Sequence, residues 1–83
     1  MPRSSTKVRR RQALLSLLRE VRLEAGLRQT DVAKKLGKPQ SFVSNYESGE
    51  RRLDLLELQA VCEVLGIKVT DFVGRFERGQ ADR

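Results

Sequence analysis

Four short polar side chains recur at one-turn spacing in the middle of the chain, and they are suited to hydrogen bonding rather than to catalysis. Gln40 and Ser44 are four residues apart, as are Ser41 and Asn45, so all four share one face if this segment is a helix. Amide and hydroxyl groups can hydrogen-bond to base edges in a major groove, where Gln or Asn pairs with adenine at two points. The outward face of such a helix also includes Phe42.

The residues needed for common enzymatic and metal chemistry are missing. The 83-residue chain has no histidine and one cysteine, Cys62. Zinc sites draw their ligands mainly from cysteine and histidine, and Ser-His-Asp or Cys-His catalysis needs an imidazole base. One cysteine also excludes an intrachain disulfide, so nothing points to an oxidising compartment. We therefore expect neither an enzyme nor a bound cofactor or small-molecule ligand, and Cys62 is interpreted as an inert core residue.

Positive charge is concentrated in the first two thirds of the chain. Lysine and arginine outnumber aspartate and glutamate by 17 to 11, which gives a net charge of +6. Residues 1–28 carry eight basic and two acidic side chains, residues 29–53 five and three, and residues 54–83 four and six. A basic face on a small domain suits a polyanion, of which the nucleic-acid backbone is the commonest. The chain lacks the aromatic stacking surface of common RNA-binding modules.

Hydrophobic periodicity and helix-stop signals predict an all-α fold of five helices. The predicted helices run from Arg11 to Ala25, Gln29 to Leu36, Gln40 to Glu47, Asp54 to Leu65 and Val69 to Glu77. Glycine follows four of them, as is common just past a helix C-terminus. Asp54 and Glu57 form a capping-box pair. Residues 1–10 are predicted to be a flexible basic arm and residues 78–83 a disordered tail, so the domain spans residues 11–77.

No run of residues approaches the roughly 18–20 apolar positions that a membrane span needs. The N-terminus has a basic region followed by an apolar one, as a signal peptide does. The apolar part, from Ala13 to Leu18, is short, is broken by Ser16 and runs straight into Arg19. We therefore expect a cytoplasmic protein that makes no contact with a membrane.

The apolar stripes of the helices predict a core and one surplus patch. The inward residues recur three or four positions apart and are Leu14, Leu17, Leu18, Val21, Ala25, Val32, Ala33, Leu36, Val43, Tyr46, Leu58, Val61, Cys62 and Leu65. The last helix has more apolar side chains than a short terminal helix buries on its own body, and such a surplus normally marks an interface. We predict a homodimer whose interface contains Ile67, Val69, Phe72, Val73 and Phe76. Alternatively, Phe72 and Phe76 fill the gap between the first and fourth helices.

The second and third helices have the lengths and the turn of a helix-turn-helix motif. A tight turn containing Gly37 joins them, and Ala33 is small where the two helices cross closely. The stretch from Gly26 to Ile67 resembles the Cro/repressor-type, or XRE-like, helix-turn-helix family. The resemblance covers about Leu18 to Phe76 and rests on Arg22, Gln29, Ala33, Gly37, Ser44, Glu47-Ser48-Gly49 and Leu65-Gly66-Ile67. It is closest for short stand-alone regulators, such as restriction–modification controller proteins and regulators of mobile elements.

The resemblance implies a lambda-repressor-like domain of bacterial or phage origin, associated with the nucleoid. Such a protein binds an inverted repeat of double-stranded DNA as a homodimer and regulates a nearby promoter. The residues expected to read bases are Gln40, Ser41, Asn45 and Phe42. The residues expected to bind phosphates are Gln29, Arg28, Ser44, Arg51, Arg52 and Lys38. The resemblance further implies a partly buried salt bridge between Arg22 and Glu47, which fixes the angle of the third helix.

Some of these positions have a second interpretation or depart from the family pattern. The hydroxyl of Ser44 can instead bond back to a helix carbonyl, and Phe42 can pack over the turn near Pro39. Arg28 stands where the family usually has a Thr, Ser or Asn cap, which puts the cap in doubt but can add a phosphate contact.

An alternative function keeps the fold but makes protein binding the main task, as in an antitoxin or an anti-activator. Antitoxins usually need a sizeable extra segment for their partner, and here a short arm at each end is what the sequence offers. A neighbouring toxin gene would favour this alternative.

Overall fold

Five α-helices make up the structure, a computed structural model that describes the backbone of residues 3–81 and the side chains of residues 6–79. The helices are α1 (Arg3–Glu24), α2 (Gln29–Leu36), α3 (Gln40–Ser48), α4 (Leu55–Leu65) and α5 (Val69–Ala81). No strand occurs within residues 3–81. The predicted all-α fold of five helices is confirmed.

Local signals set the bounds of the three middle helices close to where the sequence predicts them. Gly37 ends α2 with a left-handed φ of 68°, and its N–H donates to the carbonyls of the preceding turn. At the start of α4, the Asp54 carboxylate accepts from the Glu57 N–H at 2.7 Å, and the Glu57 carboxylate accepts from the Asp54 N–H at 3.0 Å. This reciprocal pair is the predicted capping box.

The two terminal helices are longer than predicted. α1 begins at Arg3 rather than Arg11, so the predicted flexible arm is helical from Arg3 onward. The 22 residues of α1 include no glycine or proline, and each residue that joins an existing helix adds a backbone hydrogen bond. α5 continues to Ala81, past its predicted end at Glu77, and Gly79 lies beside α1. The remaining parts of the predicted arm and tail, residues 1–2 and 82–83, lie outside the described residues.

The core forms where the inner faces of all five helices meet. Its buried apolar residues are Leu15, Leu18, Val21, Val32, Ala33, Val43, Tyr46, Val61, Cys62, Leu65 and Phe72. The predicted stripe of α1 misses Leu15, which packs against Gly49 at the end of α3. The stripe also includes Ala25, which is exposed because α1 ends at Glu24.

Phe72 is a core residue and is not part of a surface patch, which corrects its assignment to the dimer interface. Its side chain is 1% exposed, because α5 packs against α1 and α4 and Phe72 points into that junction. For Phe72, the alternative interpretation as filling between helices describes the structure.

The packing of α3 determines which of its faces is free. α3 packs against α1 and α2, and it buries Val43 and Tyr46. The opposite face therefore remains at the surface. Within the described part of the chain, no helix is long and apolar enough to cross a membrane, and no cluster of cysteine and acidic side chains suits a metal ion.

Candidate nucleic-acid interface

The outward face of α3 displays the polar side chains expected to contact bases. Gln40 and Ser41 are exposed in the first turn of the helix, and Asn45 is half-buried one turn later. Pro39 precedes them with an extended backbone and ends the turn from α2. The structure thus brings Gln40, Ser41 and Asn45 together on one side of the helix, away from the core.

Ser44 is engaged within its own helix. Its hydroxyl donates to the carbonyl of Ser41 at 3.3 Å, and the residue is half-buried. The second interpretation of Ser44, a bond back to a helix carbonyl, describes this arrangement.

Phe42 is half-buried and packs within the domain, and its role as a base contact stays a prediction. Its ring meets that of Tyr46 edge to face, with centroids 5.7 Å apart and planes at 81°. The Arg51 guanidinium lies 4.6 Å from the ring centroid and the Lys38 ammonium 5.6 Å from it. Cations over an aromatic face are attracted by its electron density. The ring of Phe42 therefore contacts Tyr46, Arg51 and Lys38 within the domain.

Arg51, which the sequence predicts to bind phosphate, is held by several partners within the domain. Its guanidinium donates to both carboxylate oxygens of Glu57, at 2.7 and 3.2 Å, and to the carbonyl of Arg52 at 2.8 Å. Hydrogen bonding by Arg51 lowers the pKa of Glu57 to about 2. The neighbouring cation of this loop, Arg52, is exposed.

The start of α2 differs from the family pattern at its cap. Arg28 is the N-cap residue but makes no side-chain cap. Instead, the Asp31 carboxylate accepts from the backbone N–H of Arg28 at 2.8 Å and from its guanidinium at 3.1 and 3.2 Å. The Arg28 side chain is 82% exposed. It therefore remains accessible to a phosphate beside the N-terminus of α2, where the helix dipole also favours an anion.

Gln29 connects α2 to the end of α3. Its side-chain N–H donates to Oε1 of Glu47 at 3.0 Å. The same oxygen accepts from Nη2 of Arg22 at 3.1 Å. The side-chain nitrogen of Gln29 therefore donates within the domain. The side-chain oxygen and the backbone N–H of Gln29 lie at the N-terminal end of α2, since Gln29 is the first residue of that helix.

The salt bridge between Arg22 and Glu47 is present and buried. Nε of Arg22 donates to Oε2 of Glu47 at 2.7 Å, and the two side chains are 9% and 6% exposed. A further donor, Nη1 of Arg22, reaches the carbonyl of Leu27 at 2.9 Å, and hydrogen bonding to Glu47 raises the pKa of Arg22. One carboxylate therefore joins α1, α2 and α3.

Arg11 makes a contact with the end of α3 that the sequence does not predict. Its Nη2 donates to the carbonyl of Gly49 at 2.5 Å, at the corner where α3 ends. Gly49 has a φ of 92°, and a Cβ there would lie 3.0 Å from Cδ1 of Leu15. No sequence signal separates Arg11 from its basic neighbours, because its partner is a backbone carbonyl distant in the chain.

Cys62 is buried, and burial raises the pKa of its thiol to about 11, as expected for an inert core residue.

The predicted dimer interface is partly accessible in the structure. Val73 is 39% exposed, and Ile67, Val69 and Phe76 are half-buried. These four residues are the accessible remainder of the predicted interface.

The chain is similar to known helix-turn-helix proteins. The Helix-turn-helix family model HTH_3 matches residues 18–72, which is more than half of the chain. A solved structure titled "XRE-family like protein from Pseudomonas syringae pv. tomato str. DC3000" is 41% identical and has a TM-score of 0.84. The match covers 90% of this chain and 92% of that one. The chain belongs to the XRE-type helix-turn-helix family.

A second solved structure agrees in fold. The crystal structure of the wild-type restriction-modification controller protein C.Esp1396I is 20% identical, with a TM-score of 0.80, over 89% of this chain and 96% of that one. At this identity the likeness shows the fold alone. Among curated proteins, none matches the chain. As an XRE-type helix-turn-helix protein, the chain is a DNA-binding transcriptional regulator.

Proposed function

We propose that the protein regulates transcription as a homodimer that binds an inverted-repeat operator. In this proposal α3 is the recognition helix, and the α3 of each protomer enters the major groove of one half-site. The observation that carries the proposal is the polar outward face of α3, where Gln40 and Ser41 are exposed and Asn45 is half-buried. Their amides and hydroxyl can hydrogen-bond to base edges. The buried carboxylate of Glu47 fixes this face relative to α1 and α2 before DNA binds.

The phosphate contacts are proposed for side chains that flank this face. Arg28, Lys38 and Arg52 are exposed, and each can reach a backbone strand beside the groove. Gln29 binds a phosphate through its backbone N–H at the N-terminus of α2. Ser44 and Arg51 have internal partners, so in this proposal they position their neighbours and contribute less to phosphate binding.

A dimer is proposed because one recognition helix reads too few base pairs to select a site in a genome. Two copies related by a twofold axis double the readout and place the half-sites about 34–36 Å apart. The proposed interface is the outer face of α5, with Val73 exposed and Val69 and Phe76 beside it at one-turn spacing. Phe76 also lines a groove of about 370 Å³ between α1 and α5, next to Leu17.

Sedimentation velocity combined with DNA footprinting tests this proposal. At tens of micromolar, we expect a dimer for the wild type and a monomer for Val73→Asp and Phe76→Asp. Leu56→Asp is the matched control, because Leu56 is an equally apolar but 75% exposed residue of α4 outside the patch. Thermal melts check that each variant is folded.

The footprint upstream of the protein's own gene is expected to be symmetric, with two half-sites. A wild type that stays monomeric yet protects a symmetric site would show that pairing occurs only on DNA. A wild type without any preferred DNA site would contradict the proposal and favour a protein partner.

A further inference from the structure

The part of α1 that precedes Arg11 is a basic helical extension. Residues 3–10, here called the N-terminal extension, include four cations and no acidic residue, and the first acidic residue of α1 is Glu20. Residues 6–10 are all exposed. At a rise of 1.5 Å per residue, the eight residues lengthen the helix by about 12 Å.

The N-terminal extension begins beside the DNA-facing end of the domain. Arg11 donates to the carbonyl of Gly49, and Leu15 packs against the same glycine. Gly49 directly follows the recognition helix and precedes the loop with Arg52. α1 therefore passes the corner between α3 and this loop, and the N-terminal extension continues past it by about two helical turns.

Two cations of the N-terminal extension lie on opposite sides of the helix. Lys7 is one turn before Arg11, so it lies on the side that faces the Gly49 corner. Arg9 is two residues from each, which places it about 200° around the helix axis from both. In agreement, Arg9 lines the groove between α1 and α5 with Phe76 and Gly79.

We propose that Lys7 binds a DNA backbone phosphate that flanks the base pairs read by the recognition helix, so that α1 extends the DNA contact beyond the helix-turn-helix motif. This inference rests on the proposed function. The ammonium of Lys7 is exposed, carries no acidic neighbour within the N-terminal extension, and is one turn beyond a residue that touches the corner of α3. A duplex held against α3 and Arg52 presents its phosphate backbone on this side, where charge complementarity favours a lysine.

The test compares Lys7→Gln with Arg9→Gln, which remove the same charge from opposite sides of one helix. Binding is measured against salt concentration on a duplex that the wild type selects from a random-sequence pool. Each lost phosphate contact reduces the slope of log K against log salt by about 0.9, so a dimer of Lys7→Gln is expected to lose about 1.8. Arg9→Gln is expected to keep the wild-type slope, and Lys7→Arg to restore it.

Three outcomes would overturn the inference. Equal slopes for Lys7→Gln and Arg9→Gln would mean that the extension contributes only long-range attraction, or none. A lower melting temperature for Lys7→Gln would assign the residue to folding. A changed sedimentation coefficient without DNA would assign Lys7 to contact with a second copy.

Failure of the proposed function gives a different result. In that case the wild type selects no symmetric duplex from the pool. The slopes can still be compared on a random duplex, so the role of Lys7 is decided separately.

Discussion

Two arginine–glutamate pairs lie at the C-terminal end of α3 and just after it, and they differ in burial rather than in geometry. Both pairs have a shortest N–O distance of 2.7 Å and two hydrogen bonds between the side chains. The side chains of Arg22 and Glu47 are 9% and 6% exposed, whereas those of Arg51 and Glu57 are 40% and 30% exposed. Removing one partner of a buried pair strands a charge away from water, while an exposed pair is rehydrated at little cost. Equal distances therefore do not mean equal importance for folding.

The largest effect is expected at the buried pair. Glu47→Ala leaves the Arg22 guanidinium without its carboxylate and removes the acceptor of Gln29. We expect a loss of at most about 3–5 kcal/mol in the free energy of unfolding, measured by chemical denaturation at a fixed protein concentration. Glu50→Ala is the control, since Glu50 is exposed beside the same corner. If Glu47→Ala unfolded like Glu50→Ala, the buried pair of Arg22 and Glu47 would not form in solution.

A smaller effect is expected for the polar face of α3 and the loop after it, and it concerns DNA binding rather than folding. Asn45→Ala removes a proposed base contact and is expected to cost about 1–3 kcal/mol on the selected duplex while leaving random duplex nearly unaffected. Arg52→Ala, which removes a proposed phosphate contact, is expected to weaken both duplexes about equally. Titrations of both duplexes at one salt concentration separate the two roles. Equal losses on both duplexes for Asn45→Ala would reassign Asn45 to the backbone.

The smallest effect is expected at the exposed pair, and it depends on pH. The pKa of Glu57 is about 2 in the folded protein against an ordinary value of 4.5. A lowered carboxylate pKa stabilises the folded state above the unfolded pKa, and this contribution disappears as the pH falls from about 4.5 towards 2.

The comparison of wild type with Glu57→Gln makes this contribution visible. The difference in melting temperature is expected to be small near neutral pH and to shrink further below pH 4.5. Arg51→Gln should reproduce this narrowing difference, because either substitution breaks the same pair. A difference that stays constant down to pH 2.5 would mean that the pair does not form in solution.

Much of the fold follows from local sequence signals, and the exceptions have physical causes. The bounds of α2 and α4 follow from Gly37 and from the capping pair of Asp54 with Glu57. The start of α1 has no comparable signal after Pro2, so the run of basic residues predicts an arm, although nothing in that run ends a helix. In a short helix, the sequence also determines only weakly which face is buried. The apolar pattern of α5 therefore predicts both Phe72 and Val73 at the surface, although only Val73 is exposed.

Residues of the candidate site can be predicted from the sequence where a position of the family motif has a single structural role. The family resemblance identified the pair of Arg22 and Glu47. It did not identify the role of Phe42, which depends on the direction from which Arg51 approaches after the chain has turned. Nor can a sequence show that Arg11, one of three consecutive arginines, donates to a distant carbonyl.

The division of α3 into a buried and an exposed side has a consequence for evolution. Val43 and Tyr46 are buried in the core, while Gln40 and Ser41 are exposed. Substitutions at such surface positions usually change stability by less than about 0.5 kcal/mol. If Gln40 and Ser41 read bases as proposed, descendants of this protein can acquire new DNA targets by exchanging these side chains, without a compensating change in the core of the domain.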